Sequence, residues 1–334
     1  MVEVNRIRYS ARVGVAALPY LSGVTMGEFY TDFARCAECY RTGRIKSKEV
    51  FGNSLVHPKV QCPSISYGHI CCLGGKLEYT SNGEPGVRPF VSSIKEGIEL
   101  LKQDIEFGNN EVFKFQYKFY EYLKSVFSEE NVMFSGFGHE GPVTTAVLMR
   151  GQGFYMDIYD YPEETKKFLE LLTGNIVKFV KFNRKLRGQE GVTPGGHLAD
   201  DFASLISPAL WDEYVLPYWD LMYTGISSGT RGLHCENLSP DHLPYLKKAG
   251  IGHYDPSVSA KLSPKIIKAV LDCSFTWRLL SFHVNDMTED DVRSWVRKSF
   301  DEGAPHLHTI VESIMCQRNN PDKVLAFVDE AGKY

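Results

Sequence analysis

The sequence lacks several features that would assign it at once to a large class of proteins. Its 334 residues contain no run of about 18 apolar residues, so we expect no membrane-spanning helix. The first residues are polar and lack the apolar core of a signal peptide, which predicts a cytoplasmic protein. Lys and Arg total 37 against 41 Asp and Glu, and this net charge of −4 argues against nucleic acid or a membrane surface as a partner.

Two kinds of local motif are also missing. Neither GxGxxG nor GxxxxGK[ST] follows an early strand, so the sequence does not favour a dinucleotide-binding or phosphate-loop fold. The eight cysteines include one Cys-x-x-Cys pair, Cys36 and Cys39, but no second pair accompanies it, so we predict a structural role. Without an export signal, we expect reduced thiols, most of them buried in the core.

The sequence does contain a repeated order of β-rich run, polar break and helix. Eight strands are predicted, at 13–18, 60–66, 132–137, 192–201, 230–237, 250–256, 277–284 and 304–311. Helix starts are predicted where Ser or Asn, whose side chain can cap free amides, directly precedes Pro. These capping residues are Ser207, Ser239, Ser263 and Asn320.

Strands that alternate with helices imply a parallel sheet, and the missing phosphate loop favours its closed form. We therefore predict an α/β fold, a (β/α)8 TIM-type barrel, built as a single structural domain. Residues 1–90 are predicted to form an N-terminal extension that packs on the barrel and contributes early strands. Residues 91–334 are predicted to form the main barrel body.

Polar residues follow most of the predicted strands, and in such barrels the functional groups lie at the carboxyl ends of the strands. A single histidine there is more often structural than catalytic, so the prediction depends on convergence at one rim. Apart from a proposed metal site, the candidates for catalysis or substrate binding are Asp200, Asp201, His139, Tyr254, His283 and His308. For the two aspartates the alternative role is to cap the following turn.

Four segments of the chain resemble the uroporphyrinogen decarboxylase superfamily. They are GPVTTAVLMRG (141–151), DDFASLISPALWDEYVLPYWDLM (200–222), LHCENLSPDHLPYLKKAGIGHYDP (233–256) and NNPDKVLAFVDEA (319–331). Their order and spacing match that superfamily over about residues 85–331. The resemblance implies a (β/α)8 barrel with its site at the mouth.

The superfamily contains two chemistries, a cofactor-free decarboxylase and zinc-dependent methyltransferases that exchange methyl groups with a corrinoid protein. The resemblance implies that the decarboxylase grips carboxylates through an Arg-rich amino-terminal motif. Here Arg8 and Arg12 are present, but the order of that motif is not. We therefore predict an enzyme of the methyltransferase type, similar to the components that demethylate O-methyl donors. Decarboxylation, transfer to or from a thiol, and non-catalytic corrinoid or tetrapyrrole binding remain alternatives.

The methyltransferases that the chain resembles hold zinc through a His-x-Cys at one strand end and a Cys after the last strand. This chain has His234, Cys235 and Glu236 at the first place and Cys316 at the second. Because successive strand residues point to opposite faces, His234 and Glu236 can face one ion, whereas Cys235 can do so only if the strand has ended. We predict His234, Glu236 and Cys316 as zinc ligands, with Cys235 as the alternative to Glu236.

Three protein ligands and one open position suit a catalytic zinc. A carboxylate in place of a thiolate makes the site harder, which favours an oxygen-centred methyl donor such as a methoxylated aromatic compound. His283 and His308 are predicted to orient the ligands. No DxHxxG cobalamin-binding sequence occurs, so we expect the corrinoid on a separate protein. The sequence does not decide the oligomeric state, and a homodimer is one possible assembly.

Overall fold

Six parallel strands form one sheet that curls into a half-barrel in this computed structural model, in the order Tyr9–Val13, His306–Val311, Ser274–Leu279, Ile251–Asp255, Ser227–His234 and Thr193–Ala199. The structure describes residues 8–80, 83–134, 136–189 and 191–334. The strands are β1 (Tyr9–Val13), β2 (Leu77–Glu78), β3 (Gly86–Val87), β4 (Thr193–Ala199), β5 (Ser227–His234), β6 (Ile251–Asp255), β7 (Ser274–Leu279) and β8 (His306–Val311). The short strands β2 and β3 pair antiparallel and apart from the main sheet.

Four of the eight predicted strands, those at 192–201, 230–237, 250–256 and 304–311, are confirmed as β4, β5, β6 and β8. Two others are displaced. The first strand ends at Val13, because the chain enters a helix at Ala17, and β7 ends at Leu279, because a helix begins at Ser281. Short apolar runs such as 277–284 have no period that separates a strand from a buried helix, which explains both displacements.

The predicted strands 60–66 and 132–137 are present only as single parallel bridges, Gln61 with Met133 and Ile65 with Phe137. Residue 135 lies outside the described residues. Pro63 removes a backbone donor from the first segment. In the second, Gly136 has a φ of +99°, and a Cβ on it would lie 2.3 Å from Ser64 Cα. The two segments approach closely but cannot form a continuous ladder.

Sixteen α-helices lie in the described residues, most of them on the outside of the sheet. They are α1 (Ala17–Ser22), α2 (Met26–Thr31), α3 (Phe33–Phe51), α4 (Gly68–Cys72), α5 (Ile94–Leu101), α6 (Glu111–Val126), α7 (Pro142–Arg150), α8 (Gly153–Asp160), α9 (Pro162–Leu186), α10 (Trp211–Tyr214), α11 (Leu216–Ile226), α12 (Leu243–Lys248), α13 (Pro264–Val270), α14 (Ser281–Asp286), α15 (Glu289–Asp301) and α16 (Asn320–Ala331). Among them no helix is long and apolar enough to cross a membrane.

Two of the four predicted caps are confirmed. Ser263 accepts a hydrogen bond from the Ile266 amide at the start of α13, and Ser239 caps the 3-10 helix Pro240–His242. Ser207 makes no side-chain cap, and the Asn320 amide instead donates to the Ile314 carbonyl. Ser or Asn before proline therefore predicts where a helix begins. It does not predict whether the Ser or Asn side chain forms the capping hydrogen bond, since two of the four do not.

Two apolar cores hold the chain together. The larger lies between the sheet and its outer helices and takes alternate strand residues, for example Leu233 on β5 and Leu307 on β8. The smaller joins α2, α3 and α6, with Phe29, Tyr40 and Phe119 fully buried. Because strand residues alternate, the residues between the core positions point into the barrel, and this second face carries the polar groups.

The N-terminal segment contributes directly to the sheet, since β1 pairs in parallel with β8 through Tyr9 to Val13. Helices α1 to α4 follow it, and α1 packs on α3. The division of the chain at residue 90 stays a prediction, and residues 1–7 of the predicted extension lie outside the described residues.

Candidate active site

His234 and Asp255 occupy the last positions of two neighbouring strands, β5 and β6, and are paired in register. The imidazole Nδ1 lies 3.0 Å from Asp255 Oδ2, within hydrogen-bond distance. A carboxylate on one ring nitrogen fixes the ring orientation and leaves the other nitrogen, Nε2, for a different partner. The strand ends thus present one oriented imidazole to the barrel mouth.

Two further carboxylates face the free nitrogen of His234. Asp201 Oδ1 lies 3.6 Å and Glu236 Oε1 lies 3.8 Å from Nε2. Asp201 Oδ1 also accepts a 2.9 Å hydrogen bond from the Glu236 backbone amide, which ties the ends of β4 and β5 together. The structure therefore brings His234, Glu236 and Asp201 together at one rim.

The electrostatic state of this group follows from three negative neighbours. Burial lowers the pKa of His234, but the hydrogen bond to Asp255 and the charges of Asp201, Asp255 and Glu236 outweigh it and raise that pKa above its usual value. Burial raises the pKa of Asp255, yet the bond to His234 leaves it lowered. The site is a region of negative potential that favours a cation or a protonated imidazole.

Asp200, predicted to contact substrate, has the alternative structural role instead. Its carboxylate is fully buried and accepts hydrogen bonds from the amides of Val143 and Thr144, at 3.3 and 2.6 Å, and from Trp219 Nε1 at 2.6 Å. These bonds satisfy free donors at the start of α7. Burial raises the pKa of Asp200 to about 6. Full burial and these bonds favour the structural role over the predicted contact with substrate.

Tyr254 lies on the opposite face of β6 from Asp255, and Cys235 follows directly after the end of β5 at His234. Both are fully buried: the Cys235 thiol donates to the Asp200 carbonyl at 3.2 Å, and the Tyr254 hydroxyl donates to the Cys235 carbonyl at 3.1 Å. Burial raises the pKa of each well above its usual value. This placement contradicts substrate contact by Tyr254 and disfavours Cys235 as a metal ligand, which would need an accessible thiolate.

Cys316 ends the 3-10 helix Ser313–Cys316 that follows β8, and it packs against the larger apolar core. Burial alone raises the pKa of its thiol to about 12. In the described part of the chain, no group of three or more His, Cys, Asp and Glu side chains is arranged so that it could hold a metal ion. Cys316 is therefore not assembled with His234 and Glu236, and its role as a ligand stays a prediction.

Glu140 and His139, on the approach to α7, differ in what they can do. Burial, together with the charges of Asp201 and Asp200, raises the pKa of Glu140 to about 8, so this carboxyl is largely protonated at neutral pH. Burial lowers the pKa of His139 to about 3, and its ring lies 6.3 Å from that of Phe179, beside a cavity of about 240 Å³. Glu140 thus shares an environment with Asp201, whereas His139 belongs to an aromatic wall.

The two histidines predicted to orient ligands lie in different places. His308 on β8 points into the barrel, with Nε2 4.0 Å from Asp255 Oδ1, and burial lowers its pKa to about 4. His283 lies on α14 with its ring 4.3 Å from the ring of Phe282, and burial lowers its pKa. Only His308 has the position of a residue that acts on the His234 and Asp255 pair.

A cavity of about 1180 Å³ opens on the other side of the barrel interior, between the ends of β1, β7 and β8 and helices α1 and α2. Two arginines line it, Arg12 on β1 and Arg278 on β7. Arg278 Nη2 donates to Glu312 Oε1 at 2.6 Å, and Ser281 Oγ donates to the other oxygen of Glu312, also at 2.6 Å. A basic wall therefore stands opposite the carboxylates around His234.

Sequence reasoning found Asp255 among the polar residues at the strand ends but did not select it as a site residue, and it missed Arg278. A usable signal existed for Asp255, since it stands two residues after His253 and so shares the interior face, whereas the predicted Tyr254 points the other way. Arg278 was hidden inside an apolar run, WRLLSFHV, where no neighbouring residue marks the interior face.

Fold and site together define a TIM-barrel protein whose polar groups collect at the carboxyl ends of its strands, the arrangement of barrel enzymes. The model of the uroporphyrinogen decarboxylase (URO-D) family matches residues 68–274, more than half of the chain. The chain therefore belongs to the uroporphyrinogen decarboxylase family, which confirms the predicted superfamily.

Two solved structures are similar to this chain to different degrees. A methyltransferase from Methanosarcina mazei is similar with a TM-score of 0.70 and 17% identity, over 98% of this chain and 94% of that chain. A B12-independent methionine synthase from Shewanella sp. W3-18-1 gives a TM-score of 0.48 and 10% identity, over 98% of both chains. No protein of curated function matches the chain. The first likeness confirms the predicted barrel.

Proposed function

We propose that this protein is a methyltransferase that moves a methyl group from an O-methyl donor, such as a methoxylated aromatic compound, to a corrinoid on a separate protein. The observation that carries the proposal is the oriented imidazole of His234, with Nδ1 on Asp255 and Nε2 facing Glu236 and Asp201. Membership of the family and the fold shared with a structure described as a methyltransferase support it.

The donors around His234 suit zinc in type, although no three of them in the described residues are arranged to hold a metal ion. Zinc takes imidazole nitrogen at about 2.0–2.1 Å and carboxylate oxygen at about 2.0–2.2 Å, so ligand atoms in a tetrahedral site lie about 3.3–3.5 Å apart. The separations of 3.6 and 3.8 Å from Nε2 to Asp201 and Glu236 exceed this by a few tenths of an ångström. The site is not preformed, and small side-chain rotations would close it.

We propose His234 and Glu236 as ligands, with the third from Cys316, as the resemblance implies, or from Asp201. Zinc, when bound, supplies Lewis acidity at the donor oxygen, and the reduced corrinoid of the partner supplies the methyl acceptor. In the chain itself, Asp255 keeps Nε2 of His234 turned to the mouth, and Asp201 holds the Glu236 backbone in place.

Breaking the methyl–oxygen bond leaves its electron pair on the donor oxygen, which then needs a proton. Glu140 carries one at neutral pH, because burial and the nearby aspartates raise its pKa to about 8. A neutral carboxyl beside the developing anion is suited to general acid catalysis, which contributes about 10²–10⁴-fold in other enzymes. Glu140 is therefore our proposed proton donor.

The test combines metal analysis with a methyl-transfer assay. We expect about one zinc per chain in the purified protein, its loss in His234→Ala, and a rise in methylated-corrinoid absorbance when a reduced corrinoid protein and a methoxylated donor are mixed with the wild type. Wild-type protein that transfers no methyl from any ether in a broad panel would reject the proposal. Zinc retained in His234→Ala would reject the ligand set but not the reaction.

Decarboxylation is the second candidate, because the family is named for it and because Arg12 and Arg278 line a large cavity. Release of CO2 from uroporphyrinogen by metal-free protein would support it. Methyl transfer together with no CO2 release would exclude it as the main activity.

A further inference from the structure

We propose that the cavity between residues 134–139 and helix α9 is a binding site for a small phenol, a single aromatic ring that carries a hydroxyl group. The cavity has a volume of about 240 Å³ and shares no lining residue with the larger cavity at β1, β7 and β8. A phenol is also what remains of a methoxylated aromatic compound after loss of its methyl group, but the inference does not depend on the proposed function.

The polar group that defines the site is the side chain of Asn183 on α9. The residue is 9% exposed, and its Nδ2 donates a 2.6 Å hydrogen bond to the Phe137 carbonyl. This bond fixes the orientation of the amide, because the reversed side chain would set two acceptor oxygens against each other. The other amide atom, Oδ1, is buried and has no partner among the described residues. A buried acceptor without a partner is costly, so this atom calls for a ligand that donates.

The glycines of the cavity wall are already paired through their backbones. The Gly138 amide donates to the Ile65 carbonyl at 2.8 Å, and the Gly136 carbonyl accepts from the Ile65 amide at 2.5 Å. The Gly138 carbonyl accepts from the His69 amide at 3.0 Å. These bonds hold the wall against residues 65–69 and leave Asn183 Oδ1 to a molecule in the cavity.

The apolar part of the wall consists of Phe134, Phe137 and Val180. The ring of Phe113 supports both phenylalanines from behind, with centroids 6.0 Å from Phe134 and 5.4 Å from Phe137. Rings held in this way offer a flat ligand stacked or edge-to-face contact. An apolar cavity of about 150 Å³ can hold benzene, and sites for larger ligands measure about 300–1,000 Å³. The size of this cavity therefore suits one substituted ring.

The remaining polar side chains of the wall, His139 and Arg187, favour a hydroxyl over other groups. Burial lowers the pKa of His139 to about 3, so its neutral imidazole has one donor and one acceptor nitrogen. Arg187 is exposed and brings a guanidinium that is attracted to the face of an aromatic ring. An ionised carboxylate only accepts and cannot pair with Asn183 Oδ1, whereas a hydroxyl donates to it and can still accept from His139 or Arg187.

The experiment measures the binding of phenol and of toluene, which has a methyl group in place of the hydroxyl, to the full-length protein by calorimetry. We expect phenol to bind the wild type and to shift the NMR signals of the His139 ring, which lines the cavity. This local signal separates binding here from binding at the barrel mouth. Asn183→Leu keeps the size of the side chain but removes the acceptor. It should weaken phenol binding by roughly 5- to 100-fold and should not weaken toluene binding.

Two further variants complete the test. Val180→Phe fills the cavity without removing a hydrogen bond, and it should abolish the binding of both compounds together with the His139 shift. Asn175→Leu on the same helix is the matched control. Asn175 is 6% exposed and its Oδ1 lies 2.8 Å from His69 Nε2, but it does not line the cavity, so its replacement should leave phenol binding unchanged.

The inference is overturned by the absence of phenol binding, by phenol binding that both cavity variants leave unchanged, or by an equal loss of phenol and toluene in Asn183→Leu. Its failure is distinct from failure of the proposed function. Phenol binding at Asn183 without methyl transfer would leave this site standing and remove the methyltransferase. Methyl transfer without phenol binding at Asn183 would leave the methyltransferase standing and remove this site.

Discussion

The two sides of the barrel mouth carry opposite charge although they come from the same sheet. At the ends of β4, β5 and β6 an imidazole is surrounded by Asp201, Glu236 and Asp255. At the ends of β1, β7 and β8 two arginines face a large cavity. The difference shows that alternate residues of successive strands are enough to build a polar axis across a barrel, without any motif that spans both sides.

The two sides also differ in how they are held. On the acidic side, side chains bind backbone groups and each other, as when Asp201 accepts from the Glu236 amide. On the basic side, Glu312 receives Arg278 and Ser281, while Arg12 has no partner among the described residues. The side chains of the acidic side are therefore restrained by hydrogen bonds within the protein, whereas Arg12 on the basic side is not.

The largest effect on stability is expected from Asp200→Ala, which removes the hydrogen bonds that join the end of β4 to α7 and Trp219. The change leaves the amides of Val143 and Thr144 and the Trp219 indole without an acceptor. Buried donors without partners cost about 1–3 kcal/mol each, so with three of them the free energy of unfolding should fall by at least about 3 kcal/mol. Urea unfolding measures this, and Asp201→Asn is the control, expected to change stability by less than about 1 kcal/mol.

The second prediction concerns Asp255→Asn, which should disorient His234 without touching the basic side. Loss of a carboxylate that orients a ligating histidine typically costs 10–100-fold in metal affinity or activity. In the metal-free protein the His234 pKa should fall, because the hydrogen bond and charge of Asp255 raise it. NMR titration of the His234 ring checks this. An unchanged His234 pKa would contradict the pairing.

The third prediction uses pH and Glu140→Gln in metal-free protein. The folded-state pKa of Glu140, about 8, lies above its unfolded value, so the stability that its protonated form provides is complete below about pH 4.5 and is lost as pH rises through 8. The variant cannot titrate there. Its stability relative to the wild type should therefore increase between about pH 4.5 and 8, as measured by urea unfolding at several pH values. A constant difference would show that the carboxyl is solvated.

The smallest effect is expected from Tyr254→Phe, which tests the residue that sequence analysis placed on the wrong face. The change removes one hydrogen bond, from the hydroxyl to the Cys235 carbonyl. The free energy of unfolding should fall by about 0.5–1.5 kcal/mol, and the methyl-transfer rate should stay unchanged. A large loss of rate with little loss of stability would mean that Tyr254 reaches the mouth.

The sequence predicts those features of the fold and site that depend on neighbouring residues in the chain. It does not predict those that depend on contacts with distant residues. Strand β5 could be predicted from its place in the repeated order of strand, polar break and helix, and His234 at its end followed from the resemblance and from alternation. The choice between Asp200 and Asp201 could not be predicted, because it depends on α7 and Trp219, which lie 19 or more residues away.

The contributions of Arg278 and of Cys316 show the same limit. Which wall Arg278 lines depends on the register of β7 with β8, and a sequence does not state a register between strands. Cys316 sits at the position that the resemblance implies, but the 3-10 helix that carries it packs against the apolar core, a tertiary contact that no local pattern shows.

Residues 60–66 and 132–137 are joined only by two single bridges, so this part of the barrel wall has no continuous strand ladder. Six strands share ladders, whereas Gln61 with Met133 and Ile65 with Phe137 are isolated contacts. Backbone amides in such a region open at lower free energy than those of a continuous ladder. Hydrogen–deuterium exchange should therefore be fastest at the backbone amides of these two segments. Local opening along this line would let a large molecule enter the barrel while the rest stays folded.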